Sequence, residues 1–420
     1  MRLRFLTAGE SHGKALVIIV EGLPAGLPLS ADQVNQQLSR RMQGHGRGAR
    51  MKIEQDQVEW LAGVRAGESL GSPIAMLVAN RDWANWEDVM AAEGTPGDLR
   101  RRRVTRPRPG HADLVGVLKY DRVDARDILE RASARETAAR VAAGALARRL
   151  LEEFGVEIGS HVVSLGGLRA AAPDPLPVPL NQAADRSPVR VLDPAVEAAI
   201  MTRIDEARRA GDTLGGEVEV VARGVVLGLG SHTSWDRKLD GRLAGMLMTI
   251  PAVKGVEIGM GFEAARRPGS AVHDPIETEG EGSPALASPT SGRGGGGGPR
   301  GGFRRQTNNA GGLEGGMTTG EPLLVRVAMK PISTLMSPLK TVDLSTGLAA
   351  NAQSERSDVT AVPAMGVIAE ALVALVLADA MLEKFGGDSL VELRRNYDGY
   401  VAGLGRRWGE LRTAAETPEP

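Results

Sequence analysis

The sequence predicts a chain of mixed strands and buried helices, on three observations. Short apolar or β-branched runs bounded by glycine recur along the chain; segments 125–154 and 361–385 carry an alanine-rich and a wholly apolar helical pattern; and no change of composition marks a domain boundary in 420 residues.

The elements follow in order. Residues 3–6 and 16–20 read as strands on either side of the turn Thr7-Ala-Gly-Glu-Ser-His-Gly13, the second apolar enough to be buried. Ser30 is an N-cap for a helix that continues to about Met42. Residues 58–64 and 74–79 are strands, and Trp83 to Trp86 fall in a polar loop. A long helix is expected from Ala125 to about Phe154, where Arg131 and Arg135, four apart, share a face that suits one shared ligand, although surface pairing with Glu136 or Glu130 fits the local pattern better. Strands follow at 156–165 and 217–226, separated by a proline-rich loop and a helix over 194–210. An apolar helix spans 239–248, a strand 323–328, and the segment 361–385 is apolar all round and therefore central. Glu277 to Arg305, with Gly294 to Gly298 at its heart, is low in complexity and reads as a disordered excursion, and a frayed tail is expected after Arg406.

Composition narrows the function. The 51 basic and 52 acidic residues leave a formal charge of −1, so basic clusters are local and general nucleic-acid binding is disfavoured. Zero cysteines exclude disulfides, thiolate metal sites and a cysteine nucleophile. The six histidines show no metal-ligand spacing, so no metal is expected. With no signal-peptide pattern at Met1-Arg-Leu-Arg-Phe5, the chain reads as cytoplasmic with no membrane partner.

Several stretches carry chemistry. Arg101 to Asp113 sets five arginines within eight residues and then His111 on a Pro-Gly turn. By itself that run fits a solvated basic loop better than an anion site. Arg40 to Arg50 alternates glycine with Arg41, Arg47 and Arg50; backbone amides and guanidiniums suit an anion there, and a helix end with cations facing its dipole suits the pattern equally. Asp358, just before the apolar helix, fits a simple cap. Gly9-Glu-Ser-His-Gly13 and Gly67-Glu-Ser-Leu-Gly71 match the nucleophile-elbow pattern, but each is followed by a strand-like run instead of a helix, which disfavours a serine hydrolase. The Arg-Gly residues of the excursion leave an RNA-binding tract as a lesser alternative.

Taken together, these stretches resemble the chorismate synthase family. The resemblance rests on Gly9-Glu-Ser-His-Gly13, Gly46-Arg-Gly-Ala-Arg50, Arg106-Pro-Arg-Pro-Gly-His-Ala-Asp113, Arg131-Ala-Ser-Ala-Arg-Glu-Thr137, Gly211-Asp-Thr-Leu-Gly-Gly216, Lys254-Gly-Val-Glu-Ile-Gly259, Gly311-Gly-Leu-Glu-Gly-Gly316, Lys330-Pro-Ile-Ser-Thr334 and Arg356-Ser-Asp358, in family order. It implies a single α+β catalytic domain over residues 1–406, with a helical core sandwiched between antiparallel sheets, an insertion at 277–305, a tail at 407–420, and a homotetramer. The implied reaction is a 1,4-anti elimination of phosphate from 5-enolpyruvylshikimate 3-phosphate, giving chorismate. It uses reduced FMN without net redox change, with NADPH as an indirect reductant; no fused reductase is visible, which points to a monofunctional enzyme.

Carried over by position, His12 resembles the acid for the departing phosphate, His111 the group that protonates reduced flavin, and Asp358 the carboxylate assisting proton removal at the flavin. Arg41, Arg47, Arg108, Arg135 and Arg356 fall where the family binds substrate anions, Arg41 and Arg47 also at nicotinamide-phosphate positions. The flavin contacts fall on Arg131, Ala132, Ser133, Pro251, Ala252, Gly315, Lys330, Pro331, Ile332, Ser333, Thr334 and Arg356. Pro251 stands where many relatives carry a polar Gln or Asn, so one side-chain contact is lost or replaced there. The long glycine-rich insertion is read as a surface excursion and not as a lid.

Overall fold

Period-2 alternation builds the first sheet. Strands β1 (Arg4–Ala8), β2 (Ala15–Glu21), β3 (Val58–Ala62) and β4 (Ile74–Ala79) form an antiparallel sheet in the order β1-β2-β4-β3. Leu16, Ile18 and Val20 pair across the ladder with Val78, Met76 and Ile74, and all six side chains are buried on one face. The β2 run was expected to be buried throughout. Its alternate residue Ile19 is instead 40% exposed beside the more exposed Leu6, because the sheet is covered on one side only. The structure, a computed structural model, describes residues 3–48, 54–94, 102–278, 299–355 and 357–416, without the side chains of Trp408 and 411–416.

The second sheet is also antiparallel. It contains β5 (Glu157–Leu165), β6 (Leu168–Arg169), β7 (Gly216–Arg223), β8 (Val253–Ile258) and β9 (Leu323–Met329) in the order β8-β9-β7-β5-β6. Between the sheets lie α1 (Ala31–Met42), α3 (Thr137–Glu152) and α6 (Val362–Phe385), with α2 (Asp113–Lys119), α4 (Pro194–Ala210), α5 (Leu239–Leu247) and α7 (Leu390–Glu416) around them. Helix α3 packs on β2 and α6 packs on β5, β7 and β9, while α3 and α6 lie against each other. The layers therefore run sheet, helix, helix, sheet, and the expected sandwich is present. Helix α6 is buried along almost its whole length. Among the described residues it alone is long and apolar enough to cross a membrane, and here it is the core helix.

Helix ends follow their caps. Ser30 and Gln33 form a capping box for α1, and Asp193, Pro194 and Gly211 (φ 71°) start and stop α4. Three expectations are corrected. Residues 81–90 are helical turns, Arg81–Asn85 and Glu87–Met90, because Asp82 accepts from Trp86 Nε1 and Asn85 Nδ2 within the segment. The helix expected over 125–154 is broken: Arg126–Leu129 is one short turn, Ser133 is extended (ψ 145°) and caps Ala134–Glu136, and only then does α3 begin. Helix α7 runs through Arg406 to Glu416, where a tail was expected.

The excursion is also shorter than expected. Ile276–Thr278 pairs with Phe303–Arg305, Arg304 pairs with Glu277 at 2.8 Å, and Arg300 is buried against Glu321 at 2.6 Å. Three of the arginines that suggested an RNA tract thus have carboxylate partners, since Arg305 also pairs with Glu314 at 2.7 Å; Arg300 is buried, whereas Arg304 stays 39% exposed at its side chain. Its glycine-rich heart, residues 279–298, lies outside the described residues.

Candidate active site

The Pro-Gly turn delivers His111 as its residue types require. Gly110 adopts φ 76°, a left-handed conformation suited to glycine. The next helix begins at Asp113, whose carboxylate is fully buried and turns back to gather the stretch. Asp113 accepts from Arg108 N (3.1 Å) and Arg108 Nε (2.8 Å), and lies 2.5 Å from His111 Nδ1. Burial alone would raise the Asp113 carboxyl, but the His111 and Arg108 hydrogen bonds outweigh it and hold it well below the usual carboxylate range. Arg108 Nη1 donates to Thr334 Oγ1 (2.8 Å), and Lys330 Nζ donates to Gly110 O (2.6 Å). The Lys330–Thr334 loop that follows β9 therefore closes onto the His111 turn.

His12 sits in a second group. Its backbone N–H donates to Glu130 Oε2 (2.8 Å), its Nδ1 lies 3.0 Å from both Glu130 oxygens, and its ring stacks on Trp86 at 4.0 Å and 26°. Glu130 is buried and also accepts from Arg126 Nη1 at 2.8 Å. Burial pushes its carboxyl up, and the His12 bonds and the Arg126 charge more than reverse that, so it stays ionised. Arg102 and Arg126 lie 4.4 and 4.9 Å from the Trp86 ring centroid, within cation–π range. Arg126 Nε donates to Arg102 O (2.9 Å), so the same arginine run that carries His111 braces the His12 group. Arg103 donates to Val123 O. Arg102 and Arg103 are exposed, as expected of solvated residues, and have these partners as well; Arg101 lies outside the described residues.

The remaining predicted arginines divide. Arg41 and Arg135 are buried on opposite sides of Asp56: Arg135 Nη1 donates to Asp56 Oδ1 (2.5 Å), and Arg41 Nη1 lies 3.7 Å from Asp56 Oδ2. Arg41 also donates to Thr137 Oγ1 and Ala134 O, and Arg135 to Asn80 Oδ1. Burial pushes Arg41 down to about 10, with Asp56 opposing, so it keeps its charge at neutral pH. Arg41 Nη1 and Arg135 Nη2 are buried without a hydrogen bond, the latter 3.6 Å from Glu54. Arg47 pairs with Asp358 Oδ2 (3.0 Å), and Asp358 Oδ1 accepts from Gly48 N (2.6 Å). Asp358 is thus no helix cap; it ties the Gly46–Gly48 loop to the start of α6. A cavity of about 220 Å³ is lined by Arg47, Asp358, Thr334, Met336, Thr213 and Arg208 among others.

Thr334 belongs to both this cavity and the Arg108–His111 group, so His111, Arg108, Arg47, Asp358, Lys330 and Thr334 are brought together. Ser133 Oγ donates to Ser11 Oγ (3.0 Å), placing the Arg131–Ser133 turn, with Ala132, beside His12. Arg131 and Arg135 do not converge as helix spacing suggested. Arg131 is 43% exposed at its side chain, donates to Thr7 O and Gly9 O and lies 3.8 Å from Glu136, the pairing the local pattern favoured, whereas Arg135 points inward, because the extended Ser133 separates them. Pro251 and Ala252 follow α5, and Ala252 O accepts from Lys330 N at 2.9 Å. Gly315 sits in the hairpin turn that meets the start of α5, where Leu239 N donates to Gly316 O; one nine-residue helix, about 13 Å of rise, separates it from Ala252. Pro331, Ile332 and Ser333 lie in the Lys330–Thr334 loop, anchored where Thr213 Oγ1 donates to Ile332 O (2.7 Å). Arg356, like Arg50, lies outside the described residues.

Sequence reasoning missed Glu130, Trp86, Arg126, Asp56, Glu54 and Asn80. Nothing local reveals that Glu130 is buried against residue 12. The two elbow serines are not nucleophiles. Ser69 is buried between Leu27 N and Pro24 O, and Ser11 hydrogen-bonds Ser133 while His12 turns to Glu130. Among the described residues no group of side chains could hold a metal ion.

The fold and site define a single-domain α+β enzyme with two carboxylate-held histidines among buried arginines, a constellation for acid–base work on an anion. The chorismate synthase family profile matches residues 3–382. "Chorismate synthase" of Streptomyces coelicolor is 56% identical over 412 residues, covering 96% of this chain and 99% of the relative, and that of Thermobifida fusca is 54% identical over 409 residues, covering 96% and 99%. A solved structure, "Crystal Structure of Chorismate Synthase", superposes with a TM-score of 0.74 at 43% identity, covering 97% of this chain and 99% of that one. The chain belongs to the chorismate synthase family and is an enzyme of that type, a lyase.

Proposed function

We propose that the protein eliminates phosphate from 5-enolpyruvylshikimate 3-phosphate to give chorismate, with reduced FMN bound beside the substrate. The observation that carries this reading is a pair of carboxylate-held histidines, His12 on Glu130 and His111 on Asp113, in groups linked through one arginine run, with Arg108 at His111, the buried Arg41 and Arg135 held by Asp56, and Arg47 held by Asp358. A substrate with a phosphate and two carboxylates needs converging guanidiniums. The buried Arg41 Nη1 and Arg135 Nη2, each without a hydrogen bond, fit an anion that completes their coordination. In this reading Arg47, Arg108 and Arg356 hold further substrate oxygens, and His12 gives a proton to the leaving phosphate oxygen.

The donor set also fits the flavin. Arg131 to Ser133, Pro251, Ala252, Gly315, Lys330 to Thr334 and Arg356 offer cations, hydroxyls and backbone groups for a phosphate and a polyol chain, and Pro251 offers only its carbonyl. Reduced FMN, when bound, supplies electron density to the allylic centre as the C–O bond breaks and a site for the departing carbon-bound proton. His111, held at Nδ1 by Asp113, carries a proton at the cofactor, and Asp358 presents its carboxylate in the cavity as a proton acceptor. The catalytic unit is residues 1–406, working as a cytoplasmic homotetramer with no nucleic-acid or membrane partner. Reduced flavin comes from outside the chain, with NADPH as the indirect reductant. The test is anaerobic: protein, dithionite-reduced FMN and the enolpyruvyl substrate are mixed, and chorismate and phosphate are followed. Formation of both in equal amounts supports the reading; neither product from folded protein removes it.

A further inference from the structure

Glu130 and Trp86 stand next to His12, and the proposed reaction assigns them no part. We infer that they are positioning residues that pin the His12 imidazole, Glu130 through Nδ1 and Trp86 through the ring face, so that Nε2 is the atom that gives its proton to the leaving phosphate. This rests on the reading of His12 as the acid.

The geometry defines the ring from three sides. Glu130 accepts from the His12 backbone N–H and lies 3.0 Å from Nδ1, so main chain and ring are referred to one carboxylate. That carboxylate cannot swing away, because it is buried and its Oε1 also accepts from Arg126. Trp86 stacks on the imidazole at 4.0 Å and removes rotation about the ring axis. The indole is itself fixed by its Nε1–H donating to Asp82 Oδ2 (3.1 Å) and by Arg102 and Arg126 over the ring. Among the described residues, the charged groups of this cluster include Glu130, Arg126, Arg102 and Asp82, with Glu355 behind Arg126 at 3.4 Å. A carboxylate on Nδ1 puts a proton on that nitrogen and leaves Nε2 to exchange one. As the C–O bond breaks, its electron pair leaves with the phosphate, the Nε2 proton moves to the phosphate oxygen, and the Nδ1 proton stays facing Glu130.

Glu130→Gln probes this sharply. A carboxamide cannot accept from the His12 N–H on one atom and from Arg126 on the other, so one donor is opposed by an NH2 and the Nδ1 proton loses its fixed acceptor. The full-length enzyme is compared with Glu130→Gln, Trp86→Leu, Trp86→Phe and His12→Ala, with circular dichroism as the folding control. Anaerobic kcat and KM are measured with reduced FMN, and the His12 ring is read by 15N NMR, its signals assigned by loss in His12→Ala.

We expect Glu130→Gln to lower kcat about 100-fold with KM within about threefold, and to move the neutral His12 tautomer from Nδ1–H to Nε2–H. Trp86→Leu should lower kcat about tenfold and Trp86→Phe should restore most of it. A wild-type kcat in Glu130→Gln and Trp86→Leu beside an inactive His12→Ala overturns the inference and leaves the acid role intact. Near-normal turnover in His12→Ala overturns the acid role itself. An unchanged His12 tautomer in a slow, folded Glu130→Gln also overturns it, since Glu130 would then act by some other route. Should Glu130→Gln fail to fold, the NMR tautomer of wild-type His12 decides: Nδ1–H supports the inference and Nε2–H refutes it.

Discussion

Replacing Glu370 by glutamine tests what holds the centre of the molecule. Glu370 lies midway along α6, fully buried, and accepts from Arg40 Nη1 (2.8 Å), Arg148 Nη2 (2.6 Å), Arg190 Nη2 (3.1 Å) and Ser160 Oγ (2.6 Å). Burial raises its carboxyl, but the three guanidiniums outweigh this and hold it near 2, against an ordinary 4.5. At about 1.4 kcal/mol per tenfold, that difference amounts to about 3 kcal/mol of folded-state preference for the carboxylate. Burial lowers the two deeply buried arginines as well, Arg190 to about 10 and Arg148 in the same direction, and Arg190 keeps its charge at neutral pH. Glutamine keeps the volume and the Ser160 bond and removes the charge, leaving the guanidiniums opposed by Asp185, which pairs with Arg40 and Arg190, and by the Glu152 charge near Arg148. The expected loss at pH 7 is about 3–5 kcal/mol. Equilibrium urea denaturation at fixed protein concentration, with the slope unchanged, measures it. Because the folded value is depressed, the stabilisation is complete above 4.5 and is lost as pH falls through about 2, so the gap between wild type and Glu370→Gln must close over that window. A cost under about 1 kcal/mol at pH 7, or a gap independent of pH, refutes the argument.

Three other outcomes follow from the structure. His12→Ala and His111→Ala should each slow turnover by about 10²–10⁴ with the circular dichroism spectrum unchanged, and near-normal rates would withdraw the roles proposed. Gly144→Ala should destabilise the fold by about 1–3 kcal/mol in urea, because a methyl there would overlap Ala371 where α3 and α6 touch; no loss would mean that the helices part at little cost. Exchanging residues 279–298 for a short glycine-serine linker should leave kcat within about twofold, since the Ile276–Thr278 and Phe303–Arg305 strands already close the base of the excursion; loss of turnover in a folded variant would make the segment part of the site.

The chain by itself determined its elements wherever the information is local. Ser30, Asp193, Pro194 and Gly211 mark helix ends through bonds to their own neighbours, and the alternation of residues 16–20 against 74–79 sets which side chains face the core. The family motifs likewise pointed to His12, His111, Arg108 and Asp358, because each sits on a glycine-rich turn or at the head of a helix, where spacing is informative. Local pattern failed where a long-range partner overrides it. The alanine-rich run from residue 125 reads as one helix, but Glu130 bonds residue 12 and Ser133 bonds Ser11, and these break it. Spacing put Arg131 and Arg135 on one face, and the fold sends one to Thr7 and the other to Asp56. Only the tertiary structure decided that His12 and His111 each have a buried carboxylate. Asp113 is two residues from His111 and was visible as a neighbour, whereas Glu130 is 118 residues from His12. The cause is the sandwich itself: a buried charge must find its counter-charge inside the core, and the packing of α3 and α6 between two sheets, more than the order of residues, determines which one it meets.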